Sequence, residues 1–526
     1  MKVIRPQDIG ALIADDATLF LGGLAVTSLP EQALLAIEEH FLATGHPRRL
    51  ATWACGAIGN AGDAGMKHFA HAGLIRRVVA GHFGQTGPEM MKMVFEGAVE
   101  AYNFPQGALS HLTRHIASGS PGLLTKVGLG TFVDPLLEGG KMNAASTEDL
   151  VKRVTFEGED YLFYPSPKID VAIIRGTLAD ERGNITLDKE GVLLEQLAIA
   201  QAARACGGIV ICQVERIVKA GTLHPKSVKI PGVVVDYVVV AEPRHHMQTI
   251  ATQFDPALCG DIRVPVDTLA PMPLDERKVI ARRAAIEVTP GAVTNLGIGV
   301  PAGIPSVAAE EGVADSLTLS IESGVTGGIP AQRGDFGLAY NAEAIIEQGA
   351  QFDFYDGGGL DASFLGLAQV DEHGNVNVSK FNGRPVGCGG FINITRSTRK
   401  LVFCGAFTAG GLELAIGGGQ LKIVQEGRAR KFVRQVEQVT FNGRDAALRG
   451  QEVLFVTERA VFALTPDGLE LTEVAPGVDV ERDILAHMDF APLRHAVKVM
   501  DAGLFEQRWG GLRAAHERRA AGLTVA

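Results

Sequence analysis

The stretch ATLFLGGLAVTSLPEQALLAIEEH (residues 17–40) joins a short apolar strand to a glycine turn and a proline-led amphipathic helix. The same order of elements returns in AVTNLGIGVPAGIPSVAAEEG (residues 292–312). At a constant offset of 275 residues, three pairs coincide: Leu21 with Leu296, Gly22 with Gly297, and Pro30 with Pro305. The repetition predicts a chain built from two related strand–turn–helix units.

A second pair of similar stretches supports this duplication. VAIIRGTLADERGNITL (171–187) matches LGLAQVDEHGNVNV (365–378), with an Asp-Glu-x-Gly-Asn turn in each. Each turn lies between β-rich residues, which predicts a hairpin. The offset is now 191 residues, so the first half carries 84 additional residues, the difference between the two offsets. Two divergent tandem halves with an insertion in the first explain both matches.

The proline-containing stretch DIRVPVDTLAPMPLDER (261–277) is poorly suited to continuous helix or sheet and marks the boundary between the halves. We therefore predict two domains, residues 1–260 and residues 278–526. Strands alternate with helical patterns in both, which predicts an α/β fold with open, mostly parallel sheets covered by helices. Ligands of such folds bind beyond the carboxyl ends of the strands.

Composition and charge exclude several classes of function. The net charge of −11 argues against nucleic acid as a partner, because no basic stripe is available for phosphates. The longest apolar strings are strand-length, so we expect no membrane partner. The six cysteines lack zinc-site spacing, which predicts free thiols, a cytoplasmic protein and no metal. The sequence also has no Gly-x-Ser-x-Gly motif for a serine nucleophile.

One carboxylate, Glu322, stands alone in the small and apolar stretch SIESGVTGGIP (320–330). The corresponding first-half stretch LATWACG (50–56) has Ala54 in its place, so only one copy of the scaffold carries the acid. A strand-end Glu that faces solvent or pairs with an Arg is the simplest interpretation. A functional carboxylate in this place would be either a general base or a nucleophile toward an acyl carbon.

Four motifs together resemble family I coenzyme A transferases, and the resemblance extends over nearly the whole chain. They are SIESGVTGGIP, GLGTFVDP (128–135), YDGGGLDASFLGLAQVDEHGNVNVSKF (355–381) and CGGFINIT (388–395). The sequence is most similar to the single-chain propionate/acetate type, which also accepts short 3-oxo acids. The resemblance implies two related halves of the NagB/RpiA/CoA-transferase fold and a homo-oligomer, either a dimer or a tetramer.

The resemblance also implies a reaction. Acyl-CoA and small carboxylic acids would be the substrates, and coenzyme A would be a co-substrate, with no tightly bound cofactor. Glu322 would attack the acyl-CoA carbonyl to form an acyl-glutamyl anhydride, and the CoA thiolate would then convert it into a glutamyl-CoA thioester. An incoming acid would reverse both steps, which gives ping-pong kinetics.

The family pattern implies an oxyanion hole made from both halves. Gln106, in NFPQGALSHL (103–112), would donate its side-chain amide; a solvent-facing Gln at a helix start is the other interpretation. The CGGF turn would add a backbone N–H from Gly390, with Gly389 as the alternative donor and a CoA contact.

Two further loops complete the predicted site. NLGIGVPAG (295–303) would bind CoA through Asn295, Gly297 and Gly299, just ahead of a helix. In GLGTFVDP, Phe132 and Val133 are expected to limit the size of the acyl group.

Two alternatives to transfer stay open. An acyl-CoA hydrolase could use the same Glu322 with water as the acceptor, and acetate-dependent release of CoA distinguishes the two activities. A non-catalytic CoA-binding protein is the other alternative, and the presence of Glu322, Gln106 and the glycine turns together argues against it.

Overall fold

Two large β-sheets organise the protein, one in each half of the chain. The structure is a computed structural model and describes residues 1–265 and 271–520. The first sheet uses strands from residues 2–240, and the second uses strands from residues 293–499.

The first sheet has eight strands, and all neighbouring pairs in it are parallel. Its strands are short and almost wholly buried at the centre, as expected when helices cover both faces. In spatial order they are Lys2–Val3, Tyr237–Val240, Ile209–Val214, Val171–Arg175, Thr18–Leu21, Leu50–Ala54, Ile75–Ala80 and Glu100–Asn103.

The second sheet has ten strands, with a parallel centre and antiparallel pairs toward both edges. In spatial order they are Ala344–Ile345, Val325–Thr326, Thr318–Ile321, Val293–Leu296, Ala362–Gly366, Lys400–Cys404, Glu452–Val456, Ala460–Thr465, Gly468–Val474 and Lys498–Val499.

The two sheets share one strand order, which confirms the predicted fold of two related halves. The first-half order 209–214, 171–175, 18–21, 50–54 corresponds to the second-half order 400–404, 362–366, 293–296, 318–321. The predicted hairpins also form, because Ala179 pairs with Ile185 and Val370 pairs with Val376 in antiparallel register. The Asp residue of each turn accepts hydrogen bonds from backbone N–H groups two and four residues later.

Helices pack around these sheets. In chain order the α-helices of the described residues are α1 Glu31–Thr44, α2 Pro88–Phe95, α3 Gln106–Ala117, α4 Gln196–Ala205, α5 Glu276–Ala285, α6 Ile304–Glu310, α7 Gln348–Asp356, α8 Phe391–Ser397, α9 Gly443–Leu448, α10 Val480–Asp483 and α11 Leu512–Ala520.

Each half also contains smaller sheets. The first half adds a four-stranded sheet of Arg216–Val218, Leu178–Asp180, Ile185–Thr186 and Val228–Ile230, and a three-stranded sheet of Gly122–Thr125, Glu159–Pro165 and Lys152–Phe156. Two-stranded ribbons in the second half pair Ile329–Pro330 with Ala339–Tyr340, Gln369–Val370 with Val376–Asn377, Lys380–Phe381 with Arg384–Pro385, Thr408–Ala409 with Ala429–Arg430, and Glu413–Gly417 with Gln420–Gln425.

The predicted boundary stretch 261–277 is described only in part, because residues 266–270 lie outside the described residues. Helix α5 begins at its end, where the Asp275 side chain accepts a hydrogen bond from Lys278 N and caps the helix. Within the described residues, no helix is both long and apolar enough to cross a membrane.

Candidate active site

Glu322 lies at the tip of a tight hairpin at the carboxyl edge of the second sheet. The strand Thr318–Ile321 leads into it, and Val325–Thr326 pairs back on Ile321 and Ser320. Gly324 makes the turn possible, since its φ is +105° and an added Cβ would lie 2.1 Å from the Ile346 carbonyl oxygen. The hairpin therefore presents a carboxylate where parallel α/β sheets bind their ligands.

The Glu322 carboxylate is half-buried and has no cationic partner. Among the described residues, no Lys, Arg or His forms a salt bridge with it, so the interpretation as an Arg-paired strand end finds no support. Burial raises its pKa to about 7, because desolvation disfavours the charged form. A carboxylate in this state is weakly stabilised and partly accessible, as a nucleophile must be.

Polar side chains buried beneath the hairpin hold its strand in place. The Ser320 hydroxyl contacts the Tyr355 hydroxyl at 2.8 Å and accepts from Gln351 Nε2 at 3.0 Å. Asn295 Nδ2 donates to the Ser320 carbonyl at 3.1 Å. These contacts fix the strand that ends at Glu322.

Gly390 faces the Glu322 carboxylate directly. A Cβ built on Gly390 would lie 2.1 Å from Glu322 Oε2, so no residue larger than glycine fits there without moving the acid. Gly390 is the residue immediately before α8, and Gly389 precedes it with a φ of +54°.

The two glycine amides differ in what they already bind. The Gly389 N–H donates to the Gly81 carbonyl at 2.7 Å and is thereby occupied. The Gly390 N–H has no hydrogen-bond acceptor within the described ranges. Of the two candidate donors, the geometry therefore favours Gly390.

The loop that carries these glycines belongs to the second half but is held by the first. Cys388 N donates to Asn103 Oδ1 at 2.9 Å, and Phe83 N donates to the Val386 carbonyl at 2.7 Å. Cys388 is also part of the hydrophobic core of the first half. The loop therefore cannot take its position without the other half of the chain.

Gln106 lies against this loop, as the predicted oxyanion hole requires. It is the first residue of α3, it is 1 % exposed, and its backbone N–H donates to the Gly389 carbonyl at 2.9 Å. Its burial rules out the interpretation as a solvent-facing helix start. Gln106, Gly389, Gly390 and Glu322 thus form one contiguous cluster between the halves.

Two residues of this cluster were missed by the sequence analysis. Gln348 begins α7. When the oxygen and nitrogen of the Gln348 amide are assigned so that each faces a complementary partner, the oxygen accepts from Gln106 Nε2 at 2.5 Å. In that orientation its nitrogen donates to Glu195 Oε1 at 2.8 Å. The sequence Gln-Gly-Ala occurs at both 106–108 and 348–350, and this repetition could have identified Gln348. No sequence pattern identifies Glu195.

The loop NLGIGVPAG lies on the strand next to Glu322. Asn295 and Ser320 are neighbours in parallel register, so Gly297 leaves the sheet at the same edge as Glu322. Gly299 is exposed with a φ of +86°. Asn295 differs, because its side chain is 3 % exposed and bonds to Ser320 and Tyr355. CoA binding by these residues stays a prediction, and burial favours a supporting role for Asn295.

The GLGTFVDP loop does not present the predicted side chains. Phe132 and Val133 are both fully buried in the core of the first half, so the expectation that they limit the acyl group is not supported. The loop instead joins the halves, since Phe132 N donates to the Val439 carbonyl and Asn442 Nδ2 donates to the Gly130 carbonyl.

No group of three or more His, Cys, Asp or Glu side chains could hold a metal ion in the part of the chain that the structure describes. The cysteines are all free thiols, and four of the six are buried. The polar groups that meet in this cluster are a carboxylate and amides.

Comparisons with known proteins point to one family. The family described as coenzyme A transferase matches residues 4–241. The chain is 48 % identical to a caffeate CoA-transferase of Acetobacterium woodii over 97 % of this chain and 98 % of that protein. It is 44 % identical to the acetate CoA-transferase YdiF of Escherichia coli O157:H7 over 96 % and 95 % of the two chains.

Solved structures lead to the same family. Crystal structures of the acyl-CoA transferase YdiF from E. coli O157:H7, as the apoenzyme and as a thioester complex with CoA, match with TM-scores of 0.91 and 0.89. Each is 42 % identical and covers 97 % of both chains. The chain belongs to the coenzyme A transferase family. It is a CoA-transferase with coenzyme A as a substrate partner.

Proposed function

We propose that this CoA-transferase moves coenzyme A from a short-chain acyl-CoA to a short-chain carboxylate, with Glu322 as the nucleophile. The observation that carries the proposal is the Glu322 carboxylate itself, which has no cationic partner and lies against the Gly390 backbone in a cluster that contains Gln106. Cytoplasmic residence and assembly into a homodimer or homotetramer stay predictions from the sequence.

The donor half-reaction has two steps. A Glu322 oxygen attacks the carbonyl carbon of the acyl-CoA, and the C–S bond breaks to give an acyl-glutamyl anhydride and the CoA thiolate. The thiolate then attacks the glutamyl carbonyl carbon, which releases the donor carboxylate and leaves a Glu322–CoA thioester.

The acceptor half-reaction reverses these steps. The acceptor carboxylate attacks the glutamyl carbonyl and displaces the CoA thiolate, and the thiolate attacks the acceptor's acyl carbon. The new acyl-CoA departs and the Glu322 carboxylate is restored. Every intermediate keeps an activated acyl carbon, so no ATP is required.

Each addition places negative charge on a carbonyl oxygen, which N–H donors would stabilise. We assign these donors to the Gly390 N–H and the Gln106 side chain. Loss of one such donor typically lowers the rate about 10²–10³-fold. The thioester complex of the 42 % identical E. coli transferase supports the proposal that CoA binds this chain covalently too.

Acetate is the acceptor that we test first, because the E. coli relative is named an acetate CoA-transferase. The A. woodii relative is named for caffeate, so an aromatic acid is the matched second acceptor. Faster transfer from propionyl-CoA to acetate than to caffeate would support short-chain specificity, and the opposite order would contradict it.

The nucleophile is tested with Glu322→Ala and the nearly isosteric Glu322→Gln. Incubation with acetyl-CoA and intact mass measurement should show a CoA adduct on the wild-type peptide that contains Glu322, and none on either variant. Transfer should fall roughly 10³-fold or more, because no nearby group replaces the nucleophile. Circular dichroism should remain that of the wild type.

Glu413→Gln provides the control, since it removes an exposed carboxylate from the hairpin strand Glu413–Gly417. Its activity should equal that of the wild type. Substantial turnover by Glu322→Ala would refute the nucleophile. CoA release that does not depend on an acceptor acid would instead favour the hydrolase.

A further inference from the structure

Helices α3 and α8, one from each half, meet at their first residues beside the candidate active site. Gln106 is the first residue of α3, and Gly390 immediately precedes α8. The first four N–H groups of a helix have no partner within it, so those of α3 need acceptors elsewhere. Gln106 N donates to the Gly389 carbonyl at 2.9 Å, and Gly107 N donates to Asn393 Oδ1 at 3.0 Å. Residues on both sides of Gly390 therefore accept two consecutive N–H groups of the first half.

The Asn393 side chain joins three helices at one point. It is fully buried at the third position of α8, and its Nδ2 donates to both carboxyl oxygens of Asp356, the last residue of α7, at 3.1 and 3.0 Å. Gly107 fixes the orientation of the amide, because a backbone N–H can only donate and must face the Asn393 oxygen. Burial raises the pKa of Asp356 to about 7, and its carboxyl group accepts from Nδ2 in either protonation state.

Gly107 lets α3 approach the other two helices closely. A Cβ added to Gly107 would lie 2.5 Å from Asn393 Nδ2 and 2.6 Å from Phe352 Cδ1. The same ring also faces Gly390, where an added Cβ would lie 3.3 Å from Phe352 Cζ. The backbone beside Gln106 and the backbone of Gly390 therefore pack against one buried ring, and only glycine at position 107 permits this spacing.

Asn393 differs from the contacts that join the halves elsewhere. Asn442, for example, also crosses between the halves, since its Nδ2 donates to the Gly130 carbonyl at 2.9 Å. Asn393 lies three residues after Gly390, and it accepts from the residue next to Gln106. Its two hydrogen bonds thus act at the point where the two proposed oxyanion donors come together.

We propose that Asn393 is a positioning residue, which holds the start of α3 against the start of α8 and so sets the spacing between Gln106 and the Gly390 N–H. The inference rests on the proposed function, since these are the two groups assigned to the acyl oxygen. Because Asn393 is fully buried, it acts through the two helices and not on the substrate.

Asn393→Leu removes both hydrogen bonds and keeps a side chain of similar shape. With saturating acetyl-CoA, we expect the single-turnover rate constant of Glu322–CoA formation to fall about tenfold to a hundredfold. The acetyl-CoA concentration that gives half the maximal rate should change less than about threefold.

Intact mass measurement over time separates positioning from a structural role. It gives the rate constant and also the final amount of CoA adduct per chain. A positioning role lowers the rate constant and leaves the final adduct equal to that of the wild type. A merely structural role lowers the final adduct, and the chains that remain folded react at the wild-type rate constant.

Gly107→Ala tests the same contact from the other helix and removes no hydrogen-bonding group. The added methyl group would clash with Asn393 and Phe352, so α3 must move away from α8. We expect the rate constant to fall about tenfold, because small displacements of catalytic groups are costly. Alanine favours a helix more than glycine does, so this variant also serves if Asn393→Leu does not fold. A rate constant within about twofold of the wild type in either folded variant overturns the proposal.

Asn393→Asp/Asp356→Asn exchanges the two partners and keeps their hydrogen bonds. The carboxylate at position 393 accepts from Gly107 N and from the amide at position 356. We expect a rate constant within about fivefold of the wild type. A folded exchange variant as slow as Asn393→Leu overturns the proposal.

Asn442→Ala is the matched control, because Asn442 joins the halves and also caps α9 by accepting from Asp445 N. Neither bond involves α3 or the loop of Gly390. We expect this variant to lower the melting temperature and leave the rate constant within about twofold. A loss of rate as large as that of Asn393→Leu would mean that any weakening of the junction slows the reaction, which overturns the specific role of Asn393.

Failure of this inference differs from failure of the proposed function. Wild-type rate constants in Asn393→Leu and Gly107→Ala, with Glu322→Ala inactive, overturn the positioning role and leave Glu322 as the nucleophile. An adduct that still forms in Glu322→Ala overturns the proposed function, whatever the Asn393 variants show.

Discussion

At the residue scale, the environment of Glu322 combines two properties that oppose each other. A nucleophilic carboxylate must be ionised, but strong stabilisation by a cation or by several N–H donors would lower its reactivity. The structure avoids such stabilisation, since burial is the cause of its raised pKa and no charged partner counters it. Gly390 keeps the approach to the acid free of side-chain atoms.

The raised pKa of Glu322 predicts an unusual pH dependence. Only the carboxylate form attacks, and with a pKa of about 7 that form is lost as the pH falls below neutral. We expect kcat/KM for acetyl-CoA to rise about tenfold per pH unit below an apparent pKa near 7, and to level off above it. An ordinary glutamate would give a flat profile from pH 6 to 9.

Glu195 has a similarly raised pKa, so the profile needs a control. Glu195→Gln removes that titration, and we expect this variant to keep the same acidic limb in kcat/KM. A limb that disappears in Glu195→Gln would assign the titration to Glu195 instead. A flat profile in the wild type between pH 5.5 and 8 would contradict the role of Glu322.

At the element scale, local patterns were enough to predict the strand–turn–helix units and both hairpins. Their signals lie within short windows, as glycine turns, Asp-x-x-Gly-Asn sequences and apolar periodicity. Glu322 was identifiable because it is the one acid in its stretch. Glu195 and Gln348 were not identifiable, because they lie 153 positions apart in the sequence and meet only in the fold. The burial of Phe132 likewise depends on tertiary packing, which no local pattern predicts.

A second buried cluster joins helix α1 to the turn Met66–Phe69. His68 lies between two carboxylates of α1, with Nδ1 2.5 Å from Glu38 and Nε2 2.7 Å from Glu31. Burial alone would lower the pKa of His68, but the two carboxylates outweigh it and raise that pKa. Burial would raise the pKa of Glu38, but the His71 and His68 side chains lower it.

The raised pKa of His68 and the lowered pKa of Glu38 define the pH range in which this region is most stable. The raised pKa of His68 gives stability that is complete below its unfolded value near 6.5 and is lost as the pH rises through the folded value. The lowered pKa of Glu38 gives stability that is lost as the pH falls below about 4.5 and through the folded value. His68→Ala should therefore cost about 3 kcal/mol near pH 6 and less near pH 9.

Urea unfolding at both pH values measures this difference. His46→Ala is the matched control, since His46 pairs with Asp15 on the surface, where such pairs contribute about 0–1 kcal/mol. A cost of His68→Ala that is equal at pH 6 and pH 9 would contradict the assignment of His68 as a charged partner.

At the scale of the whole molecule, neither half alone contains all residues of the proposed site. Glu322 and Gly390 come from the second half, Gln106 and Glu195 from the first, and Gln348 from the second again. Helices α3 and α7 pack against each other, as do α3 and α4, and α7 and α8. The catalytic geometry therefore depends on how firmly the halves are joined.

Asn103 is the residue that tests this dependence most directly. It is fully buried, its Nδ2 donates to the carbonyls of Ala80 and Gly81, and its Oδ1 accepts from Cys388 N, two residues before Gly390. Asn103→Ala removes all three bonds, but the Ala80 and Gly81 carbonyls still accept from Phe104 N and Gly389 N. Cys388 N is therefore the group left without its acceptor, at a cost of about 1–3 kcal/mol. The loop should shift, and we expect the rate of Glu322–CoA formation to fall at least tenfold.

Asn143→Ala separates this effect from a general loss of stability. Asn143 Nδ2 also donates to two carbonyls, those of Val94 and Val99, but all its contacts lie within the first half. Because the same kind of bond is lost without reaching the Gly390 loop, both variants should lower the melting temperature and only Asn103→Ala should slow thioester formation. Equal rates for the two variants would mean that the first half does not hold the loop in its reactive position.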